Sequence, residues 1–347
     1  MRTFITAVTP SRIGLPRIAL CRITLRRLLS LASPVLIGAL CATQATAQSW
    51  PSKPIRMVIP YPAGGSVDLS GRRLVEDLGA ELGQPVTVDN RSGANGIIGT
   101  DAVAKAAPDG YTLLVSTLSA HAGNPSAVKS LPYHPLDDFA PVTIINFVPQ
   151  LLVAHPSFPG ETVADIVRLA KEQPGKISYA SFGTGGMAHL AGVQLELRGP
   201  VKMTHVPYKG GAPALADVIG GHVQLYFSGI NSVLPHIKAG RLRAIAVSGA
   251  TRSKILPNVP AVAETFAGFE AGVTPAVWLP ARTPPEIVNR LHAAIVKIIH
   301  TPKFRQIAER DGEGEPIGST PAEMGAIVKK DLGYYATLMK AAGINPE

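Results

Sequence analysis

The run Pro60-Tyr61-Pro62-Ala63-Gly64-Gly65-Ser66-Val67-Asp68 sets two adjacent glycines, a tyrosine, a hydroxyl and a carboxylate between the apolar stretch 55–59 and an amphipathic segment. A strand, a turn poor in side chains and a helix start follow one another without a gap. Glycine lets the backbone approach a ligand closely, and the first helical turn leaves N–H groups without intrahelical partners. The helix dipole adds partial positive charge at the same end, so this turn suits an anion. Backbone N–H groups of Ala63, Gly64, Gly65 and Ser66 are the expected donors, with Tyr61 packing against the ligand. The bland reading is a tight strand-to-helix turn, with Ser66 as N-cap, that binds nothing. Asp68 repels an anion, so it either meets a ligand donor or a bridging water, or favours the helix start.

A second turn of this type, Ser181-Phe182-Gly183-Thr184-Gly185-Gly186-Met187, lies well downstream. Its spacing Gly183-x-Gly185-x-x-Ala188 fits a dinucleotide fingerprint, which needs an acidic residue at the end of the next strand. The next strand ends instead in Pro207-Tyr208-Lys209, so Phe182, Gly183, Thr184, Gly185, Gly186 and Met187 read better as a second ligand loop. Two such turns predict a cleft that closes on a small carboxylate. Ser116, Thr117 and His121 follow another strand and are candidates for its wall, His121 equally fitting a surface or hinge loop. Tyr208 and Lys209 sit at a strand end, where ligands gather in parallel sheets. Arg91 is a loop cation that can pair within the protein. The nine histidines form no cluster with metal-ligand spacing, and neither a Gly-x-Ser-x-Gly elbow nor a phosphate-loop Gly-Lys-Ser/Thr occurs. No metal and no cofactor is expected.

Residues 1–47 read as a signal peptide. Arg2, Arg12, Arg17, Arg22, Arg26 and Arg27 precede the apolar run 28–42, and Ala45-Thr46-Ala47 has the small-x-small pattern of a cleavage site. Cys41 follows Leu40 rather than the small residue a lipoprotein site needs. The segment holds six of the 33 Lys and Arg and none of the 24 Asp and Glu, so 27 face 24 in the remainder, a net of +3. The basic balance of the precursor therefore says nothing for a nucleic-acid partner. Cys21 and Cys41 also leave with the segment, which excludes disulfides, thiolate metal sites and a cysteine nucleophile from the mature chain. No later apolar run is long enough to span a bilayer. The mature protein is expected to be soluble, periplasmic and monomeric.

Strand and helix patterns alternate along the rest. After 55–59, Val67, Leu74, Val75, Leu78 and Leu82 share one helical face that ends near Gly83. Strands are expected at 85–89, 111–116, 177–181, 203–207, 223–227 and 242–247, and helices at 97–106 and after the capping-box pattern Thr162-x-x-Asp165. This alternation predicts an α/β protein with mainly parallel sheets covered by helices on both faces. The apolar run 141–154 and the Gly/Pro-punctuated run 268–285 each suit a crossing between lobes. Lobe 1 is then discontinuous, 48–150 plus 271–347 and ending in three helical segments, with lobe 2 inserted as 151–270. Paired crossings form a hinge with the ligand between the lobes.

The ordered motifs resemble a known family. They are Trp50-Pro51-x-Lys53-Pro54-Ile55-Arg56, Pro60-Tyr61-Pro62-Ala63-Gly64-Gly65 with Asp68, Gly83-Gln84-Pro85-Val86 and Asn90-Arg91-Ser92-Gly93-Ala94-x-Gly96. Pro108-Asp109-Gly110-Tyr111-Thr112-Leu113-Leu114, His205-Val206-Pro207-Tyr208-Lys209-Gly210, Leu234-Pro235-His236-Ile237-Lys238-Ala239-Gly240 and Ala341-Ala342-Gly343-Ile344-x-Pro346-Glu347 complete the series. The chain is similar to the periplasmic solute-binding proteins of tripartite tricarboxylate transporters, the Bordetella uptake gene family. That resemblance implies a two-lobe type II periplasmic binding fold (a Venus flytrap) that binds a small carboxylate and hands it to membrane permease subunits. The chain departs from the family at Gly186, Met187 and Ala188, where Thr or Ser is common, and at Ser228, where aspartate is usual. Loss of that carboxylate removes a partner for a ligand ammonium, so a carboxylate without an amino group and with an apolar portion is expected. The alternatives are a secreted α/β hydrolase and a ligand-sensing partner of a membrane kinase.

Overall fold

The structure is a computed structural model that describes residues 50–346. The expected signal segment and its cleavage site after Ala47 lie outside the described residues. Its first strands are β1 (Ile55–Ile59), β2 (Val86–Asn90), β3 (Thr112–Thr117) and β4 (Phe139–Ile144). They form one five-stranded sheet with β11 (Pro275–Pro280), in the order β2-β1-β3-β11-β4. A second, six-stranded sheet has β5 (Val148–Ala154), β8 (Leu225–Gly229), β6 (Ser178–Ser181) and β7 (Thr204–Pro207) side by side. There β9 (Arg243–Val247) and β10 (Gly272–Val273) also pair with β5.

Each sheet mixes parallel and antiparallel pairs. β1 runs parallel to β2 and β3, and β6 runs parallel to β7 and β8. The pairs made by β11 and by β5 are antiparallel, which corrects the expectation of mainly parallel sheets. The reason is local to the crossings. The two stretches that pass between the sheets, 145–147 and Thr274, each connect strands of different sheets, and those strands enter against the direction that the βαβ units set.

The helices follow the apolar spacing. In α1 (Ser66–Leu82), Val67, Leu74, Leu78 and Leu82 are buried, Val75 is half-buried, and Gly83 closes the helix at φ 72°. Gly71 lets α1 lie directly on β1, because a Cβ there would come within 2.7 Å of Ile59 Cδ1. Next come α2 (Ile97–Ala104), α3 (Leu118–Ala127) and α4 (Val163–Glu172), the last opened by the expected capping box of Thr162 and Asp165. The second sheet carries α5 (Met187–Arg198), α6 (Gly211–Ile219) and α7 (Ile230–Lys238). Three C-terminal helices follow, α8 (Pro285–Ile299), α9 (Pro302–Arg310) and α10 (Pro321–Ala341). Each sheet has its own core. Leu114, Phe139, Trp278, Met324 and Val328 belong to one, and Leu152, Tyr179, Leu195, Phe227 and Val262 to the other. Among the described residues no helix is long and apolar enough to cross a membrane.

Candidate functional site

A cleft of about 780 Å³ is lined from both sheets. That volume is in the range of small-molecule sites. Its walls are built at the carboxyl ends of β1, β3, β6, β7 and β8, where each strand gives way to a turn and a helix. Its floor is Val148 and Gln150 of β5 with Val273 of β10, the strands beside the two crossings.

Five helices begin on this cleft; α3 is capped by Thr117, whose Oγ1 accepts from Ala120 N, and the other four have glycine as N-cap. These are Gly65 for α1, Gly186 for α5, Gly210 for α6 and Gly229 for α7, and none has a side-chain cap bond. By contrast, α4, α9 and α10 start elsewhere and have their first-turn N–H groups capped by Thr162, Thr301 and Thr320. The four glycine-led helices thus leave to solvent, or to a ligand, the donors that side chains satisfy at α3 and elsewhere. Among the described residues lining the cleft there is no Lys, Arg or His. A negative charge bound here is met by backbone amides and helix dipoles. Val67, Leu69, Met187, Leu215 and Ile230 supply apolar wall between these ends.

Of the residues expected from sequence, Tyr61, Gly64, Gly65, Ser66, Thr117, Phe182, Gly185, Gly186, Met187 and Ser228 line the cleft. Tyr61 is held from behind. Its hydroxyl lies 3.4 Å from Ser116 Oγ and 3.3 Å from Thr117 Oγ1, and Ser116 is itself buried beneath it. Burial pushes the Tyr61 phenol up, so it stays protonated and able to donate. Ala63, Gly183 and Thr184 lie in the turns outside the lining, and Tyr208 turns away to donate to Asp217 Oδ2 at 2.6 Å.

Asp68 is buried and fully engaged. Its carboxylate accepts from Gly64 N (2.8 Å), Arg72 Nε (2.8 Å) and Asn90 Nδ2 (2.8 Å). Burial alone would raise its pKa, but these bonds outweigh it and hold the carboxyl below the usual range. It braces the glycine turn by reaching back over the helix start, as the acidic member of a capping box does. The N-cap is Gly65 rather than Ser66, which occupies the first helical position. Arg91 pairs with Asp89 (2.8 Å), and Lys209 is exposed outside the cleft. His121 lies inside α3, buried between Trp278, Phe139 and Tyr133, where burial holds its imidazole down to about 4.

Sequence reasoning missed Asn95, Gln150, Asn231 and the segment Asp311-Gly312-Glu313, all of which line the cleft. Gln150 had a signal, being one of two amide side chains, with Asn146, in the otherwise apolar run 144–154. Gly210 and Gly229 also had one, since each follows a strand and opens a helix. Asp311 and Glu313 had none, because only the fold brings them to Arg73 of α1, at 2.5 Å each.

The model of the family described as "Tripartite tricarboxylate transporter family receptor" matches residues 71–343. Protein BugT of Bordetella pertussis (strain Tohama I) is 35% identical over 319 residues, which span 91% of this chain and 98% of that protein. The solved structure of R. palustris Rpa4515 with adipate is 32% identical with a TM-score of 0.76, over 86% of this chain and all of that one. MatC (Rpa3494) from Rhodopseudomonas palustris with bound malate is 27% identical with a TM-score of 0.71, over 83% and 99%.

Proposed function

The chain belongs to the tripartite tricarboxylate transporter family of receptors, which are solute-binding proteins and not enzymes, and we propose that it is a periplasmic receptor for a small carboxylate with an apolar body. The observation that carries this reading is the set of four glycine-led, uncapped helix starts around one cleft without a cationic side chain. Solved structures of relatives with adipate and with bound malate support the ligand class. The magnitudes are consistent. A micromolar ligand needs about 8 kcal/mol. Helix ends contribute about 0.3–1 kcal/mol each. Charge-assisted bonds from the free N–H groups, about 1.5–3 kcal/mol each, and burial of the ligand's apolar part supply the rest.

An amino group on the ligand finds no free carboxylate. Ser228 stands at the cleft, Asp68 is occupied, and Asp311 and Glu313 are both paired with Arg73. The prediction is that adipate or an aromatic acid binds more tightly than malate, and malate more tightly than aspartate or glutamate. Calorimetry of the mature chain against this series tests it; tighter binding of the amino acids would sink it.

We further propose two lobes, 48–150 with 271–347 and 151–270, that close on the ligand. Strand membership supports this division and moves the changeovers by a few residues, to 145–147 and 274. We also propose that it delivers the ligand to permease subunits, a reading the family match supports. The mature protein is proposed to begin at Gln48 in the periplasm. Intact mass of the exported protein checks this, and a mass retaining Cys41 would refute the cleavage.

A further inference from the structure

Behind the second ligand turn, on the side away from the cleft, two histidine rings lie face to face. His189 of α5 and His205 of β7 have centroids 3.6 Å apart and planes within 7°. Each reaches into the turn by a different atom. Gly185 N donates to His189 Nδ1 at 3.0 Å. His205 Nε2 lies 2.7 Å from Ser181 Oγ, which also receives Gly183 N at 3.2 Å and faces Gly183 O at 3.0 Å. One proton arrangement satisfies all of these contacts. His205 donates from Nε2 to Ser181 Oγ, the hydroxyl donates to Gly183 O, and His189 keeps Nδ1 bare with its proton on Nε2. Gly185 has φ 75°, so it is a pivot in the turn, and its N–H direction sets how the peptide before it faces the cleft.

We propose that His189 is a positioning residue for the ligand turn, its neutral Nδ1 fixing the Gly185 amide while His205 fixes Gly183 through Ser181. This rests on the reading of the cleft as a carboxylate site and names the groups that hold one wall of it in shape. The stack also makes the wall sensitive to acid. A proton on His189 Nδ1 replaces the acceptor with a second N–H facing Gly185, and a charge on either ring opposes a charge on the other. His205 keeps its Nε2 donor in both states, so acid breaks the His189 arm alone.

The surroundings favour neutrality. Tyr179 of β6 lies against both rings, and Gly192 makes room for its ring on α5. The pocket behind the stack adds Glu196 from α5 and Lys202 from the turn before β7, while α10 brings only Ala341 and Ala342 to it. Burial pushes the Glu196 carboxyl up, with the bond from Met203 N and the nearby Lys202 acting against it. Burial, with the charge of His205 adding to it, holds His189 down to about 4, and burial lowers His205 as well.

The test uses the ¹⁵N-labelled mature chain without ligand. His189 should stay neutral with its proton on Nε2 to below pH 5, and the Gly185 amide resonance should move with the same midpoint, near 4. His189→Asn, which keeps an acceptor near the Nδ1 position, should leave the amide in its neutral-pH place and remove the midpoint. His189→Phe should displace the amide at every pH and weaken adipate binding about tenfold at pH 7, the loss expected for one well-aligned hydrogen bond. Should His189→Phe not fold, the wild-type titration and His189→Asn decide. A Gly185 amide that ignores the His189 titration, or full adipate affinity in folded His189→Phe, would overturn the proposal. Failure of the wild type to bind adipate, with Gly185 still following His189, would count against the carboxylate reading and support this one.

Discussion

Asp68 is a buried charge beside the cleft that acts on the protein's own turn. Three N–H donors converge on a carboxylate that is 1% exposed, and one of them, Gly64 N, belongs to the turn that the carboxylate shapes. Asp68→Ala leaves Gly64 N–H without its acceptor and leaves the Asn90 amide only Tyr61 O, which costs about 1–3 kcal/mol. Urea unfolding should show this loss. A second residue-scale effect belongs to His121. Its folded pKa is depressed to about 4, so it contributes stability above its unfolded value of 6.5 that is lost as pH falls towards 4. The full span corresponds to about 3 kcal/mol. His121→Phe, which fits among Trp278, Phe139 and Tyr133, should flatten the decline of stability between pH 6.5 and 4; an unchanged slope would assign it to other groups. The helix-start role of Asp68 was one of the readings its sequence left open, but its partners, like the setting of His121, were not legible. Residue type announces a charge or an imidazole, but partners 22 residues away from Asp68, at Asn90, or 157 away from His121, at Trp278, are set by the fold.

The elements were more legible, because strand and helix periodicity is local. The run 55–59, the helix that Gly83 closes and the Thr162–Asp165 capping box all stand where the apolar spacing and turn chemistry put them. Sheet direction was not legible for β11 and β5, since period-two patterns carry no sign. The two glycine turns were visible, yet the helix starts at Gly210 and Gly229 completed the cleft. Capping gives these starts an opposite sign in stability and in binding. Gly229 has φ −58° and only Ser232 Oγ, at 3.9 Å, near a would-be Cβ, so Gly229→Asp fits and places a carboxylate on the start of α7. It should raise stability by about 0.3–1 kcal/mol and weaken any anionic ligand. Thr162→Ala at α4 should instead cost about 0.5–2 kcal/mol and leave affinity unchanged. Thermal unfolding and calorimetry on the two variants check both signs. At Gly185 a side chain meets a positive φ, so loss of binding there would mix strain with blockage, whereas Gly65 at φ −74° accepts one without it.

At the scale of the whole molecule, the first sheet's helices and the crossings meet at one buried ion cluster. Arg73 of α1 is 12% exposed and pairs with Asp311 and with Glu313, which is 4% exposed. Glu313 also accepts from Asn146 at the first crossing, at 2.7 Å, and the Asp311 carbonyl accepts from Asn231 at the start of α7, at 2.5 Å. The cluster therefore ties a helix that opens on the cleft to the lining segment 311–313 and to the first crossing. Burial pushes the Glu313 carboxyl up even with Arg73 opposing it. Arg73→Met keeps the packing but strands the buried Glu313 carboxylate, while Asp311 keeps Arg310 at 2.9 Å, and this should cost about 3–5 kcal/mol at neutral pH. Without the guanidinium the folded-state pKa of Glu313 rises further above its unfolded value. The folded variant then binds more protons than the unfolded chain, so its deficit against wild type should shrink as pH falls through that pKa. Adding Glu313→Gln to Arg73→Met should recover part of the loss at pH 7 and abolish this acid rescue. Urea unfolding of the two variants between pH 5 and 8 is the measurement, and a deficit in Arg73→Met that does not change with pH would show that lost packing, not stranded charge, sets the cost.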